Sequence, residues 1–66
     1  MVSYKPLFKL LIERDMTKSQ LREVLGMSSS TIAKLSKNEI ISLETIASIC
    51  KYFNCKIEDV VEIILD

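Results

Sequence analysis

The 66-residue sequence contains no histidine, no tryptophan, a single glycine and only four aromatic residues. Without histidine, a zinc site would need at least two carboxylates beside the two cysteines, which is an unusual ligand set. Nucleophilic catalysis would also lack an imidazole base. One glycine leaves no glycine-rich phosphate loop, and four aromatic side chains offer few stacking platforms for single-stranded nucleic acid. We therefore expect no enzymatic activity, no metal and no cofactor.

Long hydrophobic runs and a disulfide framework are absent as well. The apolar runs span only a few residues, far fewer than the ~20 that cross a bilayer, and the sequence does not begin with a signal-peptide pattern. Cys50 and Cys55 are too few and too close together for a disulfide framework, so we interpret them as free thiols. We expect a cytoplasmic protein with no membrane or small-molecule partner.

The apolar content is high for so short a chain. Hydrophobic residues make up 48% of the sequence, and the mean hydropathy is +0.25. A chain of this length forms one domain, residues 1–66, and buries only about 60% of the surface that its unfolded form exposes. The apolar excess suggests that a second copy of the chain covers part of the surface.

Charge is divided unevenly along a chain whose net charge is zero. Residues 1–37 carry seven lysines and arginines against three acidic residues, a balance of +4, whereas residues 38–66 carry two against six, a balance of −4. A polyanionic partner responds to the local field and not to the sum. The split is therefore compatible with nucleic-acid binding by the first half.

Apolar spacing and helix-start signals predict an all-α fold of five short helices. The predicted helices run from Pro6 to near Arg14, from Thr17 to Leu25, from Ser28 to about Lys37, from Ser42 to Asn54, and over a short stretch in which Glu58 and Asp59 occupy the first turn. Residues 62–65 are rich in β-branched side chains, so the pattern leaves open whether they continue the last helix or form a strand.

The second and third predicted helices are separated by the only glycine, Gly26. Thr17 and Gln20 have the spacing of a capping box, and Ser28 with Thr31 marks the next helix start. The outward positions after this start carry hydroxyls and cations, which suit a polar, anionic partner.

The segment TKSQLREVLGMSSSTIAKL resembles the helix-turn-helix of the Cro/C1 (lambda-repressor-like, XRE) family of bacterial and phage transcription regulators. The resemblance covers nearly the whole chain, because five short helices match that family's fold. The residues at the family's packing positions are Leu21, Gly26, Met27 and Ile32. Arg22 departs from the family pattern, since most members have alanine there.

The resemblance implies a sequence-specific regulator of transcription, most simply a repressor, that binds double-stranded DNA as a homodimer in the bacterial or phage-infected cytoplasm, associated with the nucleoid. The residues implied to contact bases are Ser29, Ser30, Thr31 and Lys34, and those implied to contact phosphates are Lys18, Arg22, Ser28, Lys37 and Asn38. Thr31 could equally meet a phosphate, and Arg22 could instead form an ion pair with Glu39 or Glu23. The expected dimer anchors are Val61, Ile63, Ile64 and Leu65.

A rival hypothesis is a protein-interaction module, for example an antitoxin-like partner protein, that keeps the helix-turn-helix shape. The neutral net charge and the acidic, apolar second half support it. A DNA mobility shift would favour the regulator, whereas a stoichiometric, salt-insensitive protein partner would favour the module.

Overall fold

The computed structural model describes residues 1–65 and consists of α-helices, a single turn of 3-10 helix and a two-stranded sheet. The elements in chain order are β1 (Val2–Ser3), α1 (Lys5–Glu13), α2 (Lys18–Leu25), α3 (Ser29–Ser36), α4 (Leu43–Phe53), the 3-10 helix (Ile57–Asp59) and β2 (Glu62–Ile63). Within this part of the chain, no helix has both the length and the apolar character needed to cross a membrane.

The predicted starts of α2, α3 and α4 are confirmed. The Thr17 hydroxyl accepts a hydrogen bond from the Gln20 N–H at 3.1 Å, and the Gln20 side chain accepts one from the Thr17 N–H at 2.8 Å. Ser28 and Ser42 cap α3 and α4 in the same manner, each accepting from the N–H three residues later. These side chains satisfy donors that have no partner within the helix.

Each of α1 to α4 is followed by a residue in the left-handed conformation. Asp15, Gly26, Asn38 and Asn54 have φ values of 52°, 63°, 56° and 53°. In every case the next N–H donates to the carbonyl five residues back, at 2.9 to 3.0 Å, which is the hydrogen bond of a Schellman motif. Glycine, asparagine and aspartate are the residues that tolerate this conformation best, so the sequence stops each helix at a defined residue.

The core lies between the helices and receives side chains from both ends of the chain. Its buried members are Tyr4, Leu7, Leu11, Leu21, Leu35, Ile41, Ile46, Ile49, Phe53 and Val60. Met27 and Ile32 pack against this cluster as half-buried residues, as expected for packing positions. Several apolar residues at the edges of the predicted helix faces, including Val24 and Leu43, are exposed instead.

The prediction of a fifth α-helix is wrong. The segment Ile57–Asp59 forms one 3-10 turn, which begins where the Asp59 carboxylate accepts a hydrogen bond from the Lys56 N–H at 3.1 Å. The chain then buries Val60, whose carbonyl accepts from the Leu7 N–H at 3.2 Å. This bond draws the backbone away from a helical course, and residues 62–63 extend as β2.

The open question about residues 62–65 is thereby answered for β2, which pairs with a strand at the start of the chain that the sequence did not indicate. The antiparallel register places Val2 opposite Ile63 and Ser3 opposite Glu62. The Ile64 N–H also donates to the Met1 carbonyl at 2.8 Å. The two ends of the described chain thus lie side by side.

Tyr4 links this sheet to the end of α3. Its side chain is 1% exposed, its hydroxyl donates to the Glu39 carbonyl at 2.7 Å, and its N–H donates to the Asn38 side-chain oxygen at 3.0 Å. Burial raises the pKa of Tyr4 above its ordinary value of 10.0, and the backbone of Ile41 offsets part of this effect.

We expect Tyr4→Phe to lower the free energy of unfolding by about 1–2 kcal/mol at neutral pH, because a carbonyl inside the fold loses its donor. Urea denaturation measures this change. Tyr52→Phe is the matched control: Tyr52 is 48% exposed, and its substitution should change stability by less than about 0.5 kcal/mol.

The raised pKa of Tyr4 adds a test at high pH. A group whose pKa is higher in the folded than in the unfolded state stabilises the fold below its unfolded pKa and loses that contribution as the pH rises through the folded value. The wild type should therefore lose stability above pH 10.0 relative to Tyr4→Phe. Parallel losses in the two proteins would contradict this assignment.

Candidate nucleic-acid interface

The turn between α2 and α3 is short and conformationally defined. Gly26 ends α2, and the Met27 N–H donates to the Arg22 carbonyl at 2.9 Å. A Cβ added at Gly26 would meet no atom within 4 Å, so the position requires a backbone conformation and not space. Ser28 then starts α3 at once. Two helices joined in this way keep a fixed relative orientation.

The buried sides of α2 and α3 hold them against the rest of the protein. Leu21 and Leu35 are completely buried, and Ile32 is half-buried. Because these positions leave one side of α3 unpacked, that side faces solvent over the length of the helix. The exposed positions on it, which we call the outer face of α3, are Ser29, Ser30, Ala33, Lys34 and Lys37 at its C-terminal cap.

The outer face of α3 contains three of the predicted base contacts, Ser29, Ser30 and Lys34. It also contains Ala33, which the sequence reasoning missed. The available signal was spacing, since Ala33 lies one turn after Ser29 and Ser30 and next to Lys34. Its methyl group gives this face an apolar point between hydroxyls and an amine.

Thr31 occupies a different position. It is half-buried, and its hydroxyl lies 2.9 Å from that of Ser28 while its N–H donates to the Ser28 hydroxyl. The two residues line a shallow depression together with the turn and the α4 hydroxyls of Thr45 and Ser48. The structure thus separates Thr31 from the other predicted base contacts and groups it with hydroxyls from a neighbouring helix.

Two more of the predicted phosphate ligands, besides Ser28, already have partners within the protein. The Lys18 ammonium donates to the Ser36 hydroxyl at 3.0 Å and lies 5.2 Å from the centre of the Phe8 ring. The side-chain oxygen of Asn38 accepts from the Tyr4 N–H. Lys18 therefore connects α2 to both α1 and α3, and Asn38 connects the end of α3 to the start of the chain.

Arg22 and Lys37 are exposed cations near the C-terminal ends of the two helices of the motif. Arg22 is exposed in the last turn of α2, and Lys37 is exposed at the C-terminal cap of α3. The arginine that departs from the family pattern thus extends from the solvent side of α2 instead of filling the space between the helices. Lys34 and Lys37 place two positive charges on the outer face of α3.

Within residues 1–65, no group of three or more histidine, cysteine or acidic side chains is arranged to hold a metal ion.

Comparison with known proteins identifies the motif. The family model for the Cro/C1-type HTH DNA-binding domain matches residues 7–66. A solved structure titled "Crystal structure of transcriptional regulator VanUg, Form II" is similar to this chain, with 52% sequence identity and a TM-score of 0.94 over 98% of this chain and 87% of that one. No curated protein sequence matches. The family match spans nearly the whole chain and includes both helices of the motif, so this protein belongs to the Cro/C1-type helix-turn-helix DNA-binding domains.

Proposed function

We propose that this protein is a sequence-specific regulator of transcription that binds double-stranded DNA as a homodimer, inserts α3 into the major groove and represses by occupying its site. The observation that carries the proposal is the outer face of α3, which is polar, cationic and exposed along a helix whose opposite side is buried. The similarity to a protein named as a transcriptional regulator supports it.

Base reading is assigned to Ser29, Ser30 and Lys34, with Ala33 added. A major groove about 12 Å wide admits one helix. Lysine favours the O6 and N7 atoms of guanine, serine can donate or accept, and the alanine methyl suits the methyl group of thymine. The expected half-site contains one or two guanines beside a thymine.

Phosphate contacts are assigned to the cations and hydroxyls around the outer face of α3. Arg22 and Lys37 are the strongest candidates, because both are exposed cations near the C-terminal ends of the two helices of the motif. Ser28 and Thr31 fit a phosphate beside the depression that they share with Thr45 and Ser48, since all four offer hydroxyls. We therefore favour a phosphate for Thr31 over a base.

Lys18 and Asn38 can bind phosphate only through the N–H donors that their hydrogen bonds within the protein do not use. A lysine ammonium has three donors, and Ser36 uses one of them. The Asn38 amide keeps its NH₂ group, since Tyr4 occupies only the oxygen. Both side chains can therefore bind phosphate in the orientation that the fold already gives them.

The homodimer is assigned to β2. The Ile64 N–H and carbonyl both bond to Met1, at 2.8 and 3.4 Å, which makes this a hydrogen-bonded pair. Hydrogen-bonded and non-bonded pairs alternate in antiparallel strands, so the N–H and carbonyl of Ile63 point away from β1. Two copies of β2 can pair antiparallel about a two-fold axis at Ile63, where each N–H meets the carbonyl of the partner's Ile63.

The apolar residues around β2 fit this arrangement. Val61 is half-buried against the core of its own chain, whereas Ile63, Ile64 and Leu65 are exposed. Alternate side chains of an extended chain share a face, so Ile63 and Leu65 would lie on one face of a β2 that is extended by a second copy, and Ile64 on the other. Ile63 is 63% and Leu65 87% exposed in the single chain, so a second copy would cover apolar surface that is otherwise in contact with water. A two-fold dimer of this kind reads a near-palindrome with half-sites about 34 Å apart.

DNA binding and base reading are tested together by selecting bound duplexes from a random library and then measuring variants on the selected site. Lys34→Ala should weaken binding to that site by about 1–3 kcal/mol and relax the preference at one base pair. Lys51→Ala is the matched control, since it removes the same charge from an exposed position on α4. The affinity of Lys51→Ala for the selected site and its base-pair preference should stay close to those of the wild type.

The phosphate assignment has a different signature in the same measurement. Arg22→Ala should weaken binding to all duplexes by the same factor. It should also make the slope of log affinity against log salt shallower by about one. Failure of the wild type to bind any duplex at low salt would contradict the proposed function. A stoichiometric, salt-insensitive protein partner would then favour the interaction module.

The dimer assignment predicts that Ile63→Lys weakens self-association by at least about tenfold, because the lysine places charge at an edge that otherwise pairs with its copy. Sedimentation equilibrium measures this change. Ile12→Lys makes the same substitution on α1 at a residue that is 77% exposed, and should leave association unchanged. On DNA, Ile63→Lys should bind a full palindrome more weakly but a half-site equally well. Equal association of the two variants would contradict a dimer through β2.

A further inference from the structure

Cys50 and Cys55 lie on either side of the turn that ends α4. Cys50 is in the last turn of the helix, and Cys55 is the second residue beyond it. Both are free, and both are half-buried against the edge of the core. The proposed DNA-binding and dimer surfaces use neither of them. Two thiols in this position are therefore available for a separate role.

The backbone brings these two residues close together. The Cys55 N–H donates to the Cys50 carbonyl at 3.0 Å, while Asn54 between them has a φ of 53°. The covalent bonds from these two atoms to the Cα atoms add at most about 4.2 Å, so the two Cα atoms lie no more than about 7.2 Å apart. The bends along that path bring them closer, toward the range of about 4.4–6.8 Å that disulfides bridge.

The side chains at these two positions also face each other. A contact between the residue two places after the helix and the residue three places from its end frequently accompanies a Schellman motif, and here these residues are Cys55 and Cys50. The electrostatics agree, because burial, followed by the neighbouring Cys50 thiol, raises the pKa of Cys55. The Asp59 carboxylate raises that pKa further, and the Arg14 guanidinium lowers it.

We propose that Cys50 and Cys55 are a modification site, a dithiol that forms a reversible disulfide within one chain and closes the C-terminal turn of α4. The oxidant class is a low-molecular-weight disulfide. The proposal does not depend on DNA binding, since the site lies beside α1 and the 3-10 helix, where Cys55 borders a surface depression together with Leu10 and Arg14.

The reaction proceeds by two exchanges. The thiolate of one cysteine attacks a sulfur of the oxidant, RSSR, so that a mixed disulfide forms and one RS⁻ leaves and takes up a proton. The thiolate of the other cysteine then attacks the protein sulfur of the mixed disulfide and releases the second RSH. The two protein thiols lose two electrons and two protons, and the oxidant gains both.

The surroundings of Cys55 determine how the rate of this reaction depends on pH. The charged groups around it are Arg14, Lys56, Glu58 and Asp59. Because the pKa of Cys55 is raised, little thiolate is present at neutral pH. Below that pKa, attack by the Cys55 thiolate should therefore accelerate about tenfold for each unit by which the pH is raised.

The disulfide would stabilise the connection between α4 and the C-terminal segment. It spans the turn that leads to the 3-10 helix and to buried Val60, and it would hold this turn in the conformation that the Cys50–Cys55 backbone bond already defines. Closing a loop of this size should raise the midpoint of thermal unfolding by about 5–15 °C.

The experiment is incubation of the reduced protein with glutathione disulfide at mildly alkaline pH, followed by mass spectrometry of the intact chain. The wild type should lose the mass of two hydrogens, retain no glutathione, stay a single covalent chain and show the higher unfolding midpoint. Dithiothreitol should reverse all of these changes. Cys50→Ser and Cys55→Ser should each retain one glutathione, because the mixed disulfide has no second thiol to close it.

Three results would overturn the proposal. They are a wild type that keeps glutathione, a wild type that becomes linked to a second chain, and a wild type whose two thiols stay free under these conditions. The wild-type result decides the matter even if a serine variant fails to fold, and circular dichroism of each variant shows whether it has.

Discussion

The left-handed residue after each of α1 to α4 is the constraint on which the rest of the structure depends. The connections between these helices are short, so the angle at which each helix ends decides where the next begins. Asp15, Gly26, Asn38 and Asn54 supply that angle, and the hydrogen bond that closes each turn is nearly the same length. Serine and threonine caps then start the following helices without a long linker. The outer face of α3 is exposed as a consequence, because the turns at Gly26 and Asn38 direct the other side of α3 into the core.

The side chains around α3 serve the fold and the proposed site at the same time. Lys18 joins α2 to α3 through Ser36, and Asn38 joins the end of α3 to Tyr4. A protein that lost either bond would lose part of the support of the helix proposed to enter the groove. The residues on the outer face, in contrast, have no packing role to perform. This division between supporting and contacting residues lets the proposed reading positions change without loss of the fold.

The sequence predicts the local features of this fold better than the distant ones. The capping box at Thr17, the caps at Ser28 and Ser42, and the glycine turn all depend on residues within five positions of each other, and all are confirmed. The pairing of Val2 with Ile63 joins residues at opposite ends of the chain, and two-residue strands have no periodicity to detect. The prediction of a fifth helix was wrong for a related reason, since the hydrogen bond from the Leu7 N–H to the Val60 carbonyl is non-local. In the candidate site, exposure of Ser29, Ser30 and Lys34 follows from helical spacing, whereas the internal partners of Lys18 and Asn38 required the tertiary structure.

The contact between Asn38 and Tyr4 has a mechanical consequence. Tyr4 directly follows β1, and β1 pairs with β2, so one short chain of hydrogen bonds connects the C-terminal end of α3 to the strand proposed to lie on the two-fold axis. In a dimer formed through β2, the orientation of each α3 relative to that axis would be set by these bonds and not by a flexible hinge. Each added base pair between half-sites rotates and displaces one half-site relative to the other. Such a dimer would have little freedom to follow that movement, and the spacing between half-sites would itself become part of what the protein recognises.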